Sequence, residues 1–196
     1  MKKLLYTFIA VSIIFSACEE DTPLPSTNNN NNNSALVIGD FHQGGIIFWL
    51  DETSKYGLVC DIQDLGEAQW SDFPYPTEAV GLSIGTGQSN TNKILDNSSQ
   101  FGIAAYICVN STAQGYSDWF LPSKAELNQM YLNKSYINST AQYNGGSVFQ
   151  TIVSNNFYWS SSEYNNETAY KQDFNDGNQY IDGKFYTYRV RAIRDF

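Results

Sequence analysis

The chain has 196 residues, with 20 acidic against 11 basic side chains and a formal net charge of −9. That length supports one ordinary domain with a real core rather than two. An acidic surface repels phosphate backbones and anionic headgroups, which argues against nucleic acid and sulfated polysaccharide as partners and leaves neutral ligands, cations and protein surfaces.

The chain opens with Met1-Lys2-Lys3, continues through a mostly apolar run over residues 4–15, and reaches the small residues Ser16 and Ala17 just before Cys18. This is the charge, core and cleavage order of a signal peptide. A bilayer span needs about 20 apolar residues, whereas this run is shorter, contains Tyr6, Thr7 and Ser12, and is followed by Glu19, Glu20 and Asp21. Phe15-Ser16-Ala17-Cys18 resembles the lipobox of bacterial lipoproteins. The expectation is therefore that residues 1–17 are removed and that Cys18 carries acyl chains of the palmitate kind, with loss of Lys2 and Lys3 making the mature chain more acidic still.

Residues 18–35 hold the acidic cluster, two prolines and the six asparagines Asn28 to Asn33, and contain nothing that could form a core. They read as a flexible stalk. An acidic cluster directly after a lipidated cysteine is similar to the export tag of some surface-displayed lipoproteins, which implies an outer-membrane anchor with the domain facing outward. A merely solvated linker is the alternative.

The domain spans residues 36–196. Gly44-Gly45 precedes the apolar run Ile46 to Leu50, a polar turn follows from Asp51 to Lys55, and Tyr56 to Cys60 is apolar again, a pattern that predicts a buried hairpin. From Thr91 the spacing of Ile94, Leu95, Phe101, Ala104, Ala105 and Cys108 predicts helical segments interrupted around Asn97 to Ser99. Ser123 followed three residues later by Glu126 is a capping box, so another helix starts at Pro122 or Ser123. After Gly145 the chain becomes aromatic and alternating, with Asp176-Gly177 and Asp182-Gly183 as turn signals, which predicts antiparallel sheet. Strands at both ends with two or three helices between them describe an α+β domain.

Few residues here could carry catalysis. His42 is the single histidine, which leaves little scope for a zinc site or an acyl-transfer triad. Ser160-Ser161-Ser162 lacks a glycine elbow and reads as a strand with bonded hydroxyls. With Cys18 acylated, Cys60 and Cys108 are either a disulfide pair, as an oxidising compartment permits, or two buried thiols. Asp173 to Asn178 looks like a calcium loop, but Gly177 falls one position too early for an EF-hand. A hairpin turn is favoured there and no cofactor is expected, with calcium in another loop geometry left open. Arg189, Arg191 and Arg194 are expected to pair with carboxylates of the fold.

Five ordered strings are more specific: IGTGQSNT from Ile84, AAYIC from Ala104, DWFLPSKAELNQMY from Asp118, YWSSSEY from Tyr158 and VRAIRDF from Val190. Over residues 41–196 they resemble the Lcl C-terminal domain family, which is named after a collagen-like adhesin and akin to the major paralogous domain of exported bacterial proteins. The resemblance implies a C-type-lectin-like fold, related also to the formylglycine-generating enzyme fold, in which the chain ends pair in one sheet and binding loops emerge late. It further implies a surface-associated, adhesive protein without an assigned reaction. The named adhesin's sulfated polysaccharide ligand does not carry over to so acidic a chain.

The functional expectation is a non-catalytic recognition or adhesion module for an extracellular glycan or protein, the alternatives being a structural envelope lipoprotein or an enzyme acting on glycans. Tyrosine supplies a rigid face with a hydroxyl, and asparagine supplies both donor and acceptor. The expected ligand-contact residues are accordingly Tyr164, Asn165, Asn166 and Glu167, with Asn175, Asn178 and Tyr180 near the following turn.

Overall fold

The computed structural model describes residues 35–71, 74–98, 100–151 and 156–196. The expected signal peptide, Cys18 and nearly all of the stalk lie outside the described residues.

Strands β1 (Phe41–His42), β2 (Gly45–Leu50) and β3 (Gly57–Cys60) open the domain, and β4 (Glu67–Gln69) follows. The central third is helical: α1 (Gly87–Asp96), α2 (Ala104–Val109), a short 3₁₀ turn at Ala113–Gly115, α3 (Lys124–Leu132) and α4 (Lys134–Tyr143). The last third supplies β5 (Phe157–Glu163), β6 (Thr168–Asp173), β7 (Gln179–Gly183), β8 (Thr187–Arg189) and β9 (Ile193–Asp195). The fold class is α+β, as expected. Four α-helices stand among the described residues where two or three were expected.

The strands form a four-stranded sheet, β1-β2-β3-β9, and a five-stranded sheet, β4-β8-β5-β6-β7. The first is antiparallel throughout, and its β3–β9 pairing joins the start of the domain to its end. In the second, β5 pairs with β8 in parallel through Tyr158 and Arg189, so the all-antiparallel expectation is corrected. After the β5-β6-β7 meander the chain returns to the far flank of β5 instead of adding a strand beyond β7. Strand β7 is left at the sheet edge.

The predicted hairpin is β2 and β3; Ile46, Ile47 and Phe48 are all fully buried, so both faces of β2 are covered there, and a register shift follows between Ile47 and Trp49. Helix α3 begins where the capping box placed it. Ser123 Oγ accepts from Glu126 N at 3.3 Å, while Glu126 Oε2 accepts from Ser123 N at 2.6 Å and Oε1 from Gly85 N at 2.7 Å. One buried carboxylate thus also holds the loop that leads into α1. Gly87 is required there, since a Cβ would collide with that carboxylate and with Phe120.

Two hydrophobic clusters result. One packs α3 and α4 through Leu127, Met130 and Ile137 against Ile46, Phe48 and Phe174. The other sets Ile94, Ala104 and Cys108 of α1 and α2 against Trp70, Trp159 and Val190. The C-terminal segment crosses between the clusters, contributing Ile193 to the first and Val190 and Ala192 to the second.

Candidate functional site

The seven expected contact residues do not converge. Tyr164 to Glu167 form the turn between β5 and β6, in which Asn165 Oδ1 accepts from Glu167 N, Thr168 N and Thr168 Oγ1, each at 2.9 Å. Asn165 therefore serves the turn, while Asn166 and Glu167 are exposed. Asn175 and Asn178 occupy the turn at the other end of β6, about 17 Å away for five steps of 3.4 Å. There Asp173 Oδ1 accepts from Asn175 N at 2.7 Å, and Asp176 accepts from the backbone and side-chain amides of Asn178 at 2.9 and 2.8 Å. These carboxylates bind the amides of their own turn, an Asx arrangement. Among the described residues no group of three or more His, Cys, Asp and Glu side chains could hold a metal ion.

Tyr164 and Tyr180 also lie on opposite faces of the sheet. Tyr164 packs edge-on against Tyr170, with ring centroids 5.6 Å apart. Register pairs Tyr170 with Ile181 and Lys171 with Tyr180, and paired residues share a face while their chain neighbours point to the other.

The face that carries Tyr180 has the more organised chemistry. Lys171 Nζ lies 2.6 Å from Asp182 Oδ2 and 2.7 Å from the Tyr188 hydroxyl, which itself donates to Asp182 Oδ2 at 2.6 Å. The same ammonium sits 3.9 Å from the centroid of Phe157 and 4.0 Å from that of Tyr188. Rings continue outward from this centre. Tyr180 meets Phe157 edge-on at 6.0 Å, Phe157 meets Tyr188 at 5.5 Å, Tyr188 meets Tyr186 at 6.4 Å, and Tyr186 meets Phe185 at 4.4 Å. Tyr180, Phe185 and Tyr186 are exposed, whereas Lys171 is buried beneath the row.

Electrostatics holds the centre of this face neutral. Partial burial pushes the Asp182 carboxyl up, but its bonds from Lys171, Tyr188 and the Gly183 amide outweigh that and hold it below the usual aspartate range. Burial and the adjacent Asp182 push the Tyr188 phenol up, so it stays protonated. The edge of the row is fixed by another buried pair. The Lys184 ammonium contacts Glu163 and donates to Tyr75 O at 3.0 Å, while Glu163 accepts from Thr77 N at 3.0 and 3.1 Å.

The remaining candidates are structural. Ser160 Oγ donates to Tyr170 O at 2.8 Å, Ser162 Oγ donates to Gly81 O at 2.7 Å, and Ser161 Oγ lies 3.3 Å from Asn90 Nδ2. His42 packs edge-on against Phe196 at 4.6 Å, and partial burial lowers its pKa. The three arginines pair as expected. Arg191 donates to Asp64 at 2.7 Å, Arg189 Nη1 lies 3.3 Å from the same carboxylate, and Arg194 grips Asp118 through two bonds of 2.6 and 2.7 Å. The disulfide alternative is corrected: Cys60 and Cys108 are free and buried, one on β3 in the first cluster and the other on α2 in the second. Burial pushes the Cys60 thiol up to about 12 and the Cys108 thiol well above its ordinary value.

Residues 47–194 match the Lcl C-terminal domain. The chain belongs to that family. The match runs from β2 into β9, so the Lys171 face, the arginine pairs, the second hydrophobic cluster and all of the first but Ile46 lie within the matched Lcl C-terminal domain. No curated protein matches the sequence. Among solved structures, a fimbrial protein from Bacteroides ovatus ATCC 8483 is similar to this Lcl C-terminal domain chain, with a TM-score of 0.53 and 15% identity over 82% of this chain and 45% of that one. At that identity the likeness concerns the fold alone, and the chain spans less than half the length of that fimbrial protein.

Proposed function

We propose that this protein is a non-catalytic recognition or adhesion module that meets an extracellular ligand, glycan or protein, on the Tyr180–Phe157–Tyr188–Tyr186 face. The observation that carries the proposal is a row of rings on a hydrogen-bonded sheet, exposed at Tyr180 and Tyr186 and half-buried at Phe157 and Tyr188, set around a charge-neutral pair of buried Lys171 and half-buried Asp182. Exposed apolar surface of this kind marks interaction sites on soluble domains. Membership of the Lcl C-terminal domain family and a fimbrial structural neighbour support an adhesive role at the cell surface. The pairing of β3 near the start with β9 at the end supports a C-type-lectin-like fold. In this proposal residues 1–17 are the signal peptide, acylated Cys18 is the anchor in the outer membrane, residues 18–35 are the stalk, and residues 36–196 are the displayed domain.

The test is adhesion of cells that express the full chain to immobilised extracellular material. Tyr180→Ala with Tyr186→Ala should reduce adhesion at unchanged surface level, while Tyr164→Ala with Asn166→Ala should leave it intact. The opposite ranking would move the contact to the turn between β5 and β6.

A further inference from the structure

We infer that the row of rings on the β5–β8 face binds a neutral polysaccharide, whose successive sugars lie along Tyr180, Phe157, Tyr188 and Tyr186. This inference rests on the proposed contact face and names the chemistry of its ligand.

The argument begins with what the face withholds. Lys171, the cation at its centre, is already bonded to Asp182 and Tyr188 and is covered by two ring faces, with its side chain 8% exposed. That ammonium is not on offer to a sulfate, phosphate or carboxylate. A chain with a net charge of −9 adds long-range repulsion toward any polyanion. A cationic ligand is not favoured either, because the Asp182 carboxylate is occupied by Lys171, Tyr188 and Gly183. The face is closed to charge of both signs.

What it offers is ring surface and phenol hydroxyls. The faces of aromatic rings are electron-rich and attract weakly positive edges, and the C–H bonds on one side of a pyranose ring present such an edge. Tyr180 and Tyr186 are exposed, and their hydroxyls have no hydrogen-bond partner among the described residues, so each can bond a sugar hydroxyl beside the stacked ring. Successive centroids from Tyr180 to Tyr186 are 6.0, 5.5 and 6.4 Å apart, with the ring planes turned 80°, 59° and 39° from one another, so the row offers separate ring surfaces in succession rather than one flat platform. Phe157, Tyr180 and Tyr188 ride on β5, β7 and β8, whose neighbours β4 and β6 hold them in register, and Tyr186 sits in the turn just before β8, so little ordering of the three strand rings is left for binding to impose.

The test is affinity electrophoresis of the full chain in a nonionic detergent without a sugar headgroup, through gels containing soluble β-glucan, galactomannan or dextran, with dextran sulfate and heparin as charged probes. At least one neutral polysaccharide should retard the chain, and raising the salt should not release it, since no ion pair is involved. Tyr180→Ala and Tyr186→Ala should each weaken that retardation at least tenfold, and Tyr180→Phe, which keeps the ring, should weaken it less. Tyr164→Ala should leave it unchanged. Retardation only by the sulfated probes, or by a neutral one but equally in the alanine variants, overturns the inference, as does no retardation by any neutral probe. If the alanine variants lose cell adhesion while no neutral polysaccharide binds, the contact face stands and the glycan falls. If an alanine variant has lost its near-ultraviolet circular dichroism, Tyr180→Phe and Tyr186→Phe decide alone, and undiminished binding in both overturns the hydroxyl contacts.

Discussion

The Lys184–Glu163 pair invites the sharpest stability experiment. Both side chains are nearly inaccessible, at 2% and 3% relative exposure. Burial pulls the Lys184 ammonium below the ordinary lysine range, although contact with Glu163 pushes it back up. Desolvation therefore outweighs what the carboxylate returns, the situation in which a buried pair adds little over uncharged groups of the same shape. Removing one partner is another matter. Lys184→Met keeps an apolar stem but loses the ammonium over the Trp70 ring, strands a buried carboxylate whose remaining bonds among the described residues come from the Thr77 amide, and frees the Tyr75 carbonyl. The expected cost is about 3–5 kcal/mol, the range for breaking a buried pair from one side. Against a domain stability of about 5–15 kcal/mol, that is a large loss. Adding Glu163→Gln removes the stranded charge and keeps an oxygen for Thr77, so the double variant should be clearly more stable than Lys184→Met alone. Urea denaturation of wild type, both single variants and the double variant completes the cycle. A Lys184→Met cost below about 1 kcal/mol, the range of exposed pairs, would refute the claim that this pair is desolvated.

Two further outcomes follow from named groups. Cys60 and Cys108 should resist alkylation in the folded protein, because burial keeps both thiols protonated, and both should be labelled on unfolding without reductant; a mass lower by two hydrogens with no labelling would restore the disulfide. Hydrogen bonding from Arg194 holds Asp118 below its unfolded value of about 3.9, so its contribution is present above that pH and disappears as the pH falls through the lower folded value. The stability difference between wild type and Asp118→Asn should accordingly be constant near neutrality and shrink below about pH 4, and a difference that grows with acid would contradict the sign.

Local signals in the sequence carried much of the fold. The β2–β3 hairpin, the break between α1 and α2, and the start of α3 each rest on a signal confined to a few residues: an apolar run, a helical spacing, a capping box. Helix α4 carried none of these. Its sequence KSYINSTAQY is rich in serine, threonine and asparagine, poor helix formers, and it buries only Ile137, Thr140 and Ala141. Tertiary contacts hold it, among them Thr140 Oγ1 donating to Gly39 O at 2.6 Å across the fold. The parallel β5–β8 pairing was equally hidden, because a turn motif cannot say which strand the chain joins after it.

The site was legible one residue at a time but not as an assembly, and the reason is the period of a strand. Alternation along β6 correctly separates Tyr170 from Lys171, yet it does not say which strand lies on either side. That needs the register of the Asp176-Gly177 turn, which brings Lys171 opposite Tyr180 and places Asp182 two residues further along the same face. It also needs β8 to arrive beside β5 after the meander, which brings Tyr188 over Lys171. Counting tyrosines and asparagines picks out both turns of the meander and merges them, because composition is blind to the strand between them. Tyr180 is the one expected contact residue that belongs to the organised face. Lys171 was missed because a lone lysine in a strand reads as solvated, and only its burial between two rings shows that its charge is spent inside the protein. That neutralisation is the ground on which the ligand proposed for this face is an uncharged one.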